Sequence, residues 1–277
     1  MERYGLRADK RKGQNFLIDR NILQKILSAG DISEMDAVLE IGPGLGVLTL
    51  ALSERAGKVV AVETDRRLAP ALAETLAGAG NVKLVWENIL RLEPHELASQ
   101  ISPGVPKVVS NLPYCLTTPI LFHLLESGIK WDRMVFMVQK EVAERITARP
   151  GTKDYGLLTL NVRLYGETEA MVLVPPTVFW PAPGVWSAVI RITPQDKPPL
   201  EGKAKDAFKA LTRAAFGQRR KTIYRALINA GIGAPDAVGE MILKAGIAPD
   251  RRGDTLTFGE FINLTGRYLE NTTIPRS

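Results

Sequence analysis

Hydrophobic positions along the chain follow two alternating patterns. From Asp19 onward, Ile22, Leu23, Ile26 and Leu27 recur at helical spacing, with Asp19 placed to cap the helix. Short apolar runs follow at 38–41, 59–63, 82–85, 107–111 and 134–138, and these read as strands. Between them, 48–55, 66–76, 118–126 and 140–148 carry the helical period. Continuous apolar strands separated by helices predict a parallel sheet covered on both faces. Residues 170–174 and 187–193 look like a closing pair of strands, and Pro175, Pro176, Pro181 and Pro183 force an extended loop between them.

The pattern changes at 194–202, a stretch rich in proline and charge. Beyond it, 204–216, 221–230, 235–245 and 258–269 read as helices, the last capped by Thr257. The expected organisation is an α/β domain over residues 1–195 and a smaller all-α domain over 203–277. No internal repeat interrupts it.

Composition narrows the class. With 277 residues, 45% of them hydrophobic, the chain can bury a sizeable core. A net charge of +6 suits a polyanionic partner without separating RNA from DNA or membrane. The single cysteine, Cys115, allows no intramolecular disulfide, so an oxidising compartment is not implied. Charges interrupt every candidate apolar run, so no membrane span is expected, and the chain reads as soluble and cytoplasmic. Residues 1–12, with Arg3, Arg7, Lys10, Arg11 and Lys12 against two acids, suggest either a solvated tail or an arm that touches RNA. His95 and His123 stand in no metal-like constellation, and no metal is expected.

Two segments carry chemistry. Glu40-Ile41-Gly42-Pro43-Gly44-Leu45-Gly46 follows a strand and precedes a helix, a Rossmann-like setting in which glycines let backbone approach a ligand closely. A nicotinamide-cofactor fingerprint wants its third glycine at position 47, which is Val47. The Gly-x-Gly-x-Gly spacing is instead the form seen in S-adenosylmethionine sites. Glu63 ends the next strand, where a carboxylate can accept from both ribose hydroxyls, although dehydrogenases share that feature. The second segment decides between them. Val108-Val109-Ser110-Asn111-Leu112-Pro113-Tyr114 puts an amide, a proline and a flat ring at one strand end. The Asn111 side-chain oxygen and the Leu112 carbonyl can accept the two N–H bonds of an exocyclic amino group. That turns the amino lone pair out of the purine ring and toward a methyl donor. Pro113 fixes the turn and has no competing N–H. Tyr114 can stack on the base, worth about 1–3 kcal/mol. No general base is demanded, so catalysis would be mostly alignment. The implied reaction is methyl transfer to adenine.

At these residues the chain resembles the bacterial 16S rRNA adenine dimethyltransferase family of the KsgA/RsmA type. Six motifs occur in order. They are Gly13-Gln14-Asn15-Phe16-Leu17-Ile18-Asp19, residues 40–46, Glu63-Thr64-Asp65, Asn111-Leu112-Pro113-Tyr114, Phe179-x-Pro181-x-Pro183-x-Val185-x-Ser187, and Phe216-Gly217-Gln218-Arg219-Arg220-Lys221-Thr222. The resemblance implies a class I S-adenosylmethionine-dependent methyltransferase fold with a helical C-terminal domain. It also implies transfer of two methyls to N6 of each of two adjacent adenosines, in a hairpin loop near the 3′ end of small-subunit rRNA. Gln14, Asn15, Leu17, Glu40, Gly42, Gly44, Gly46, Glu63, Thr64, Asn88, Ile89 and Asn111 are the implied cofactor-binding set. Asn111, Leu112, Pro113, Tyr114 and Phe179 are the implied catalytic set, with Phe179 facing Tyr114 across the target base. The base must leave its stack to get there. The expected partner is the small ribosomal subunit, and the expected state is a monomer.

Three positions depart from the family pattern. Asn88 stands where an aspartate usually holds the cofactor's adenine amino group, keeping an acceptor oxygen but losing the charge. Cys115 follows the tyrosine where asparagine is common, and reads as a small neutral filler. Gly184 replaces a lysine, with Trp186 close behind it, so a backbone contact is lost or replaced by stacking.

Between Lys203 and Arg225 there are eight Lys or Arg and one acid, Asp206. Lys205, Lys209 and Arg213 recur at spacing four, and Arg219, Arg220 and Lys221 follow at the next turn. Such a stripe suits a phosphate backbone. The rival readings are a 23S rRNA enzyme of the macrolide-resistance type, a ribosome-assembly factor that does not depend on methylation, and a small-molecule methyltransferase. The last fits the basic stripe poorly.

Overall fold

The computed structural model describes residues 14–273. The expected basic arm at 1–12 and Gly13 of the first motif lie outside the described residues.

The chain begins with a two-residue strand, β1 (Phe16–Leu17), and helix α1 (Arg20–Gly30). Asp19 caps α1 as its sequence position suggested, its carboxylate accepting from the Ile22 N–H at 2.9 Å. The alternating series follows as β2 (Asp36–Ile41), α2 (Val47–Ser53), β3 (Lys58–Val62), α3 (Ala69–Thr75), β4 (Val82–Val85), α4 (Pro94–Ile101), β5 (Val105–Asn111), α5 (Thr117–Leu125) and β6 (Arg133–Gln139). Next come α6 (Lys140–Ile146), α7 (Leu157–Arg163), β7 (Gly166–Val174), β8 (Phe179–Trp180) and β9 (Ser187–Pro194). Four helices end the chain: α8 (Gly202–Gly217), α9 (Ile223–Asn229), α10 (Pro235–Lys244) and α11 (Phe258–Thr273).

Seven strands form one sheet in the order β4-β3-β2-β5-β6-β9-β7. The first five run parallel, and β9 enters antiparallel beside β6. The order reverses between β2 and β5, whose carboxyl ends therefore open a crevice, the usual ligand position in such sheets. The core strands are apolar on both faces because helices cover both, and all six residues of β2 are buried. β1 and β8 form a separate antiparallel ribbon that pairs Phe16 with Trp180 and Leu17 with Phe179.

The chain divides into two compact units. One comprises the residues up to Ala143 together with Glu167–Pro194, and the other Glu144–Gly166 with the residues from Gln195 onward. Residues 144–166, read from the sequence as part of the first domain, thus belong to the helical unit. Tyr155, Leu160 and Leu164 are buried in one apolar cluster with Phe208, Leu211 and Phe261. The excursion does carry a turn signal, Arg149-Pro150-Gly151 followed by Lys153 and Asp154, but it is short and sits between two helical runs. At the end of the chain, Thr257 and Glu260 form a reciprocal cap for α11. The Glu260 carboxylate accepts from the Thr257 N–H at 2.7 Å, and the Thr257 hydroxyl accepts from the Glu260 N–H at 3.2 Å.

Candidate active site

A cavity of about 350 Å³ opens at the carboxyl ends of β2, β3 and β5. Its wall begins with the glycine loop. Gly44 has φ of 59°, and a Cβ there would stand 2.9 Å from the Phe16 ring, so the loop follows this path only because the side chain is missing. Gly42 and Gly44 line the cavity. Gly46, expected to contact a cofactor, is not in the wall. It caps α2 at φ 83°, where a Cβ would stand 3.0 Å from Leu72, so packing alone already calls for glycine there.

Glu40, on β2, points into this cavity from a fully buried position. Its Oε2 finds no hydrogen-bond partner among the described residues. Burial pushes its carboxyl up to about 8, with the nearby Glu63 charge adding to the rise and the Thr49 hydroxyl working against it. An unpartnered buried carboxyl is costly unless a ligand completes it. Glu63 follows β3, and its Oε1 accepts from the Thr64 and Asp65 N–H groups at 2.7 and 2.8 Å. Those bonds fix the carboxylate at the rim of the cavity, where Thr64 also lies. Gln14 donates to Asp65 at 3.0 Å, tying the first motif to the third.

Asn88 and Ile89 also line the cavity. The Asn88 oxygen is already engaged, capping a short 3-10 turn by accepting from the Leu90 N–H at 3.0 Å. A carboxylate in this position would keep a second oxygen for a ligand. The amide has one lone pair left on its oxygen, and its NH₂ adds a donor that a carboxylate lacks.

The Asn111 side chain sits at the end of β5. Its Nδ2 donates to the Asn15 carbonyl at 3.2 Å, and its Oδ1 is buried with no partner among the described residues. The strand itself is pinned, because the Leu112 N–H donates to the Met137 carbonyl and the Ser110 hydroxyl to the Ile41 carbonyl. The Pro113 carbonyl accepts from the Leu116 N–H at 2.9 Å and so closes the turn. The Tyr114 hydroxyl meets the Ser187 hydroxyl at 2.5 Å, and burial raises its pKa, so the ring stands as a neutral wall. Leu112, Pro113, Tyr114 and Cys115 all line the same cavity as Glu40 and Glu63.

The cavity therefore gathers the expected set apart from Gly46 and Phe179. Phe179 is buried in an apolar cluster with Leu17, Val174 and Val189 and does not reach the cavity. Its register opposite Leu17 in the ribbon holds it on the core side, while the next residue, Trp180, is exposed. Glu87, which with Asn88 departs from the family's Gly-Asp, and Ile120 also line the wall, although the sequence assigned neither a site role. Glu87 is one residue from Asn88, and its carboxylate accepts from the Asn88 N–H at 2.7 Å. Nothing in the α5 pattern separates Ile120 from ordinary core.

The expected RNA face is divided in the structure. Lys205 lies over the Tyr165 ring at 4.9 Å. Arg219 donates to the Thr152 carbonyl and pairs with Asp254, so it is a clamp within the helical unit. Lys209 is half-buried, while Arg213, Arg220 and Lys221 are exposed. No group of metal-ligating side chains occurs among the described residues, and no helix among them is long and apolar enough to cross a membrane.

The ribosomal RNA adenine dimethylase family model matches residues 5–268. The ribosomal RNA small subunit methyltransferase A of Pelotomaculum thermopropionicum is 46% identical over 278 residues, covering 98% of this chain and 94% of the relative. The protein of the same name from a Geobacillus strain is 44% identical over 270 residues, covering 96% and 93%. Among solved structures, a dimethyladenosine transferase from Plasmodium falciparum shares the fold at a TM-score of 0.80 and 24% identity, covering 93% of this chain and 98% of that one. The 23S rRNA methyltransferase ErmE matches at 0.73 and 28% identity, covering 91% and 99%.

Proposed function

Because the chain belongs to the ribosomal RNA adenine dimethylase family, we propose that it methylates N6 of two adjacent adenosines in the 3′-terminal hairpin loop of 16S rRNA, using S-adenosylmethionine. Relatives named for the small subunit at 44% and 46% identity support this acceptor over 23S rRNA. The observation that carries the chemistry is the Asn111 Oδ1, buried, unpartnered, and aimed by the bond from its own Nδ2 to Asn15.

The residues present fit the cofactor. The glycine loop leaves room for a ligand against the backbone, and the open Glu40 oxygen can accept from a cationic amine. Glu63, held by two backbone N–H groups, can accept from ribose hydroxyls. Asn88 offers an NH₂ donor for a ring nitrogen of adenine and the second lone pair of its oxygen for the amino group. When bound, S-adenosylmethionine supplies an electrophilic methyl on a sulfonium.

The Asn111 oxygen accepts one N6–H of the target adenine. That polarises the amino group and turns its lone pair out of the ring. Tyr114, locked by Ser187, provides a flat neutral wall for the base. Its hydroxyl is held protonated by burial, so it takes no proton. The protein's share of the rate is orientation and the exclusion of water.

The test is transfer of labelled methyl from S-adenosylmethionine to unmethylated small and large subunits in parallel, with the modified bases mapped. Label on two adjacent adenosines of the small-subunit hairpin is expected. Label confined to 23S rRNA would overturn the acceptor, and tight subunit binding without label would leave an assembly factor.

A further inference from the structure

The target is one nucleotide of a polymer, so the nucleotides flanking it must pass the mouth of the cavity. Trp186 is an exposed aromatic residue next to Ser187, the partner of the cavity-lining Tyr114. It directly precedes β9, and its carbonyl accepts from the Lys140 N–H at 2.9 Å, at the start of α6. The next residue, Ser187, is buried and holds the Tyr114 hydroxyl at 2.5 Å. The indole is thus anchored one residue from a group that touches the catalytic ring. It is nevertheless 46% exposed, and Val185 beside it is 45% exposed. Leu116, on the cavity wall two residues after Tyr114, is 38% exposed. A large indole held open to solvent by a fixed backbone gains nothing for the core.

Position 184 strengthens the reading. A Cβ on Gly184 would meet no atom within 4 Å, so packing does not require glycine there. Glycine leaves the space around this position open and puts no charge beside Trp186. A contact made here would work through ring stacking, which tolerates any base and needs no phosphate neutralisation.

We propose that Trp186 is a stacking platform for an unpaired nucleotide next to the target adenosine, a specificity contact for single-stranded RNA. This rests on the methyltransferase reading above. Stacking would hold the hairpin loop open beside the pocket and offset part of the unstacking of the target.

The experiment compares Trp186→Ala and Trp186→Phe with the unaltered protein in transfer to unmethylated small subunits. It adds binding of a naked hairpin RNA as a function of salt. The Ala variant is expected to raise KM for subunits roughly tenfold to a hundredfold, the range a single stacked base gives. Its S-adenosylmethionine Kd should be unchanged, and its RNA affinity should fall by a similar factor with an unaltered salt slope. The Phe variant should recover most of the loss. Indole fluorescence at Trp186, taken as the difference from the Phe variant, should be quenched by the naked hairpin. An unchanged KM in Trp186→Ala overturns the inference and leaves the methyltransferase reading standing. So does a loss with whole subunits but none with naked RNA, which would place a ribosomal protein on the indole. Absence of transfer by the unaltered protein would overturn the reading itself, and the inference with it.

Discussion

The sheet-end cavity and the basic face of the helical unit handle charge in opposite ways. In the cavity, polar groups are buried, held by neighbours, and in two cases left without a partner among the described residues: Glu40 Oε2 and Asn111 Oδ1. On the helical unit, several cations are tied to their own fold, as Arg219 is to Asp254 and Lys205 to Tyr165, while Arg220 and Lys221 face solvent. A buried group without a partner has a large energetic consequence and a single geometry, so it marks a site for a specific ligand. An exposed cation is solvated either way, and its contribution to binding is shared among many phosphates. Removing one group should therefore act steeply in the cavity and shallowly on the basic face.

The steepest effect is expected at Glu40. Burial raises its pKa from 4.5 to about 8, so without cofactor the folded protein holds this proton more tightly than the unfolded chain does. Stability of the cofactor-free protein contributed by this group is full below about 4.5 and falls as pH rises through about 8. A cationic amine completing the site favours the ionised carboxylate. Binding then releases a proton, and affinity for S-adenosylmethionine should climb as pH rises from about 6 to about 8, by up to about tenfold per unit. Above about 8 the cofactor's own amine loses its charge. Calorimetric titration across pH measures this, and Glu40→Gln should flatten the slope. A flat profile in the unaltered protein would show that the carboxyl does not meet the amine.

Smaller effects on the helical unit sharpen the contrast. Arg219→Ala removes a hydrogen bond and an ion pair inside the unit, so it should cost about 1 kcal/mol, read as a melting temperature lower by roughly 2–4 °C. Arg220→Ala should leave the melting temperature unchanged and reduce the slope of log affinity against log salt by about one. If the two substitutions exchanged these signatures, the division between clamp and RNA contact would be reversed.

Most of the fold was legible from periodicity. The 82–85 strand has the bounds its apolar run suggested, β3 is shifted back by one residue to Lys58–Val62, and the other strands of the sheet extend theirs by one to four residues. The expected helix at 66–76 instead opens with a 3-10 turn at Arg66–Leu68, with α3 starting only at Ala69 beside Pro70. Helix α4 went unread although Glu93 and Glu96 write a capping box around Pro94. Helix α7 has the apolar run Leu157, Leu158, Leu160, whose short length fits strand and helix equally. The cavity wall was legible because its groups come in short contiguous motifs at strand ends, where local sequence dictates position. Phe179 and Gly46 were placed differently because their environments are set by distant partners. The β1–β8 register turns Phe179 inward, and Leu72 crowds Gly46. The Asn88 oxygen, expected as an acceptor for a ligand, also caps the turn that follows it, a second role its sequence position did not announce.

The central claim is that an amide oxygen aimed into the cavity aligns the adenine amino group while other residues hold the cofactor. Its most direct test is the single-turnover rate of methyl transfer to small subunits by Asn111→Ala, with the S-adenosylmethionine Kd of the same variant measured by calorimetry. The account predicts a rate lower by about a hundredfold or more, the scale of losing one aligned polar contact in a transition state, with the Kd changed by no more than a few-fold. A variant that transfers methyl at the normal rate would contradict it.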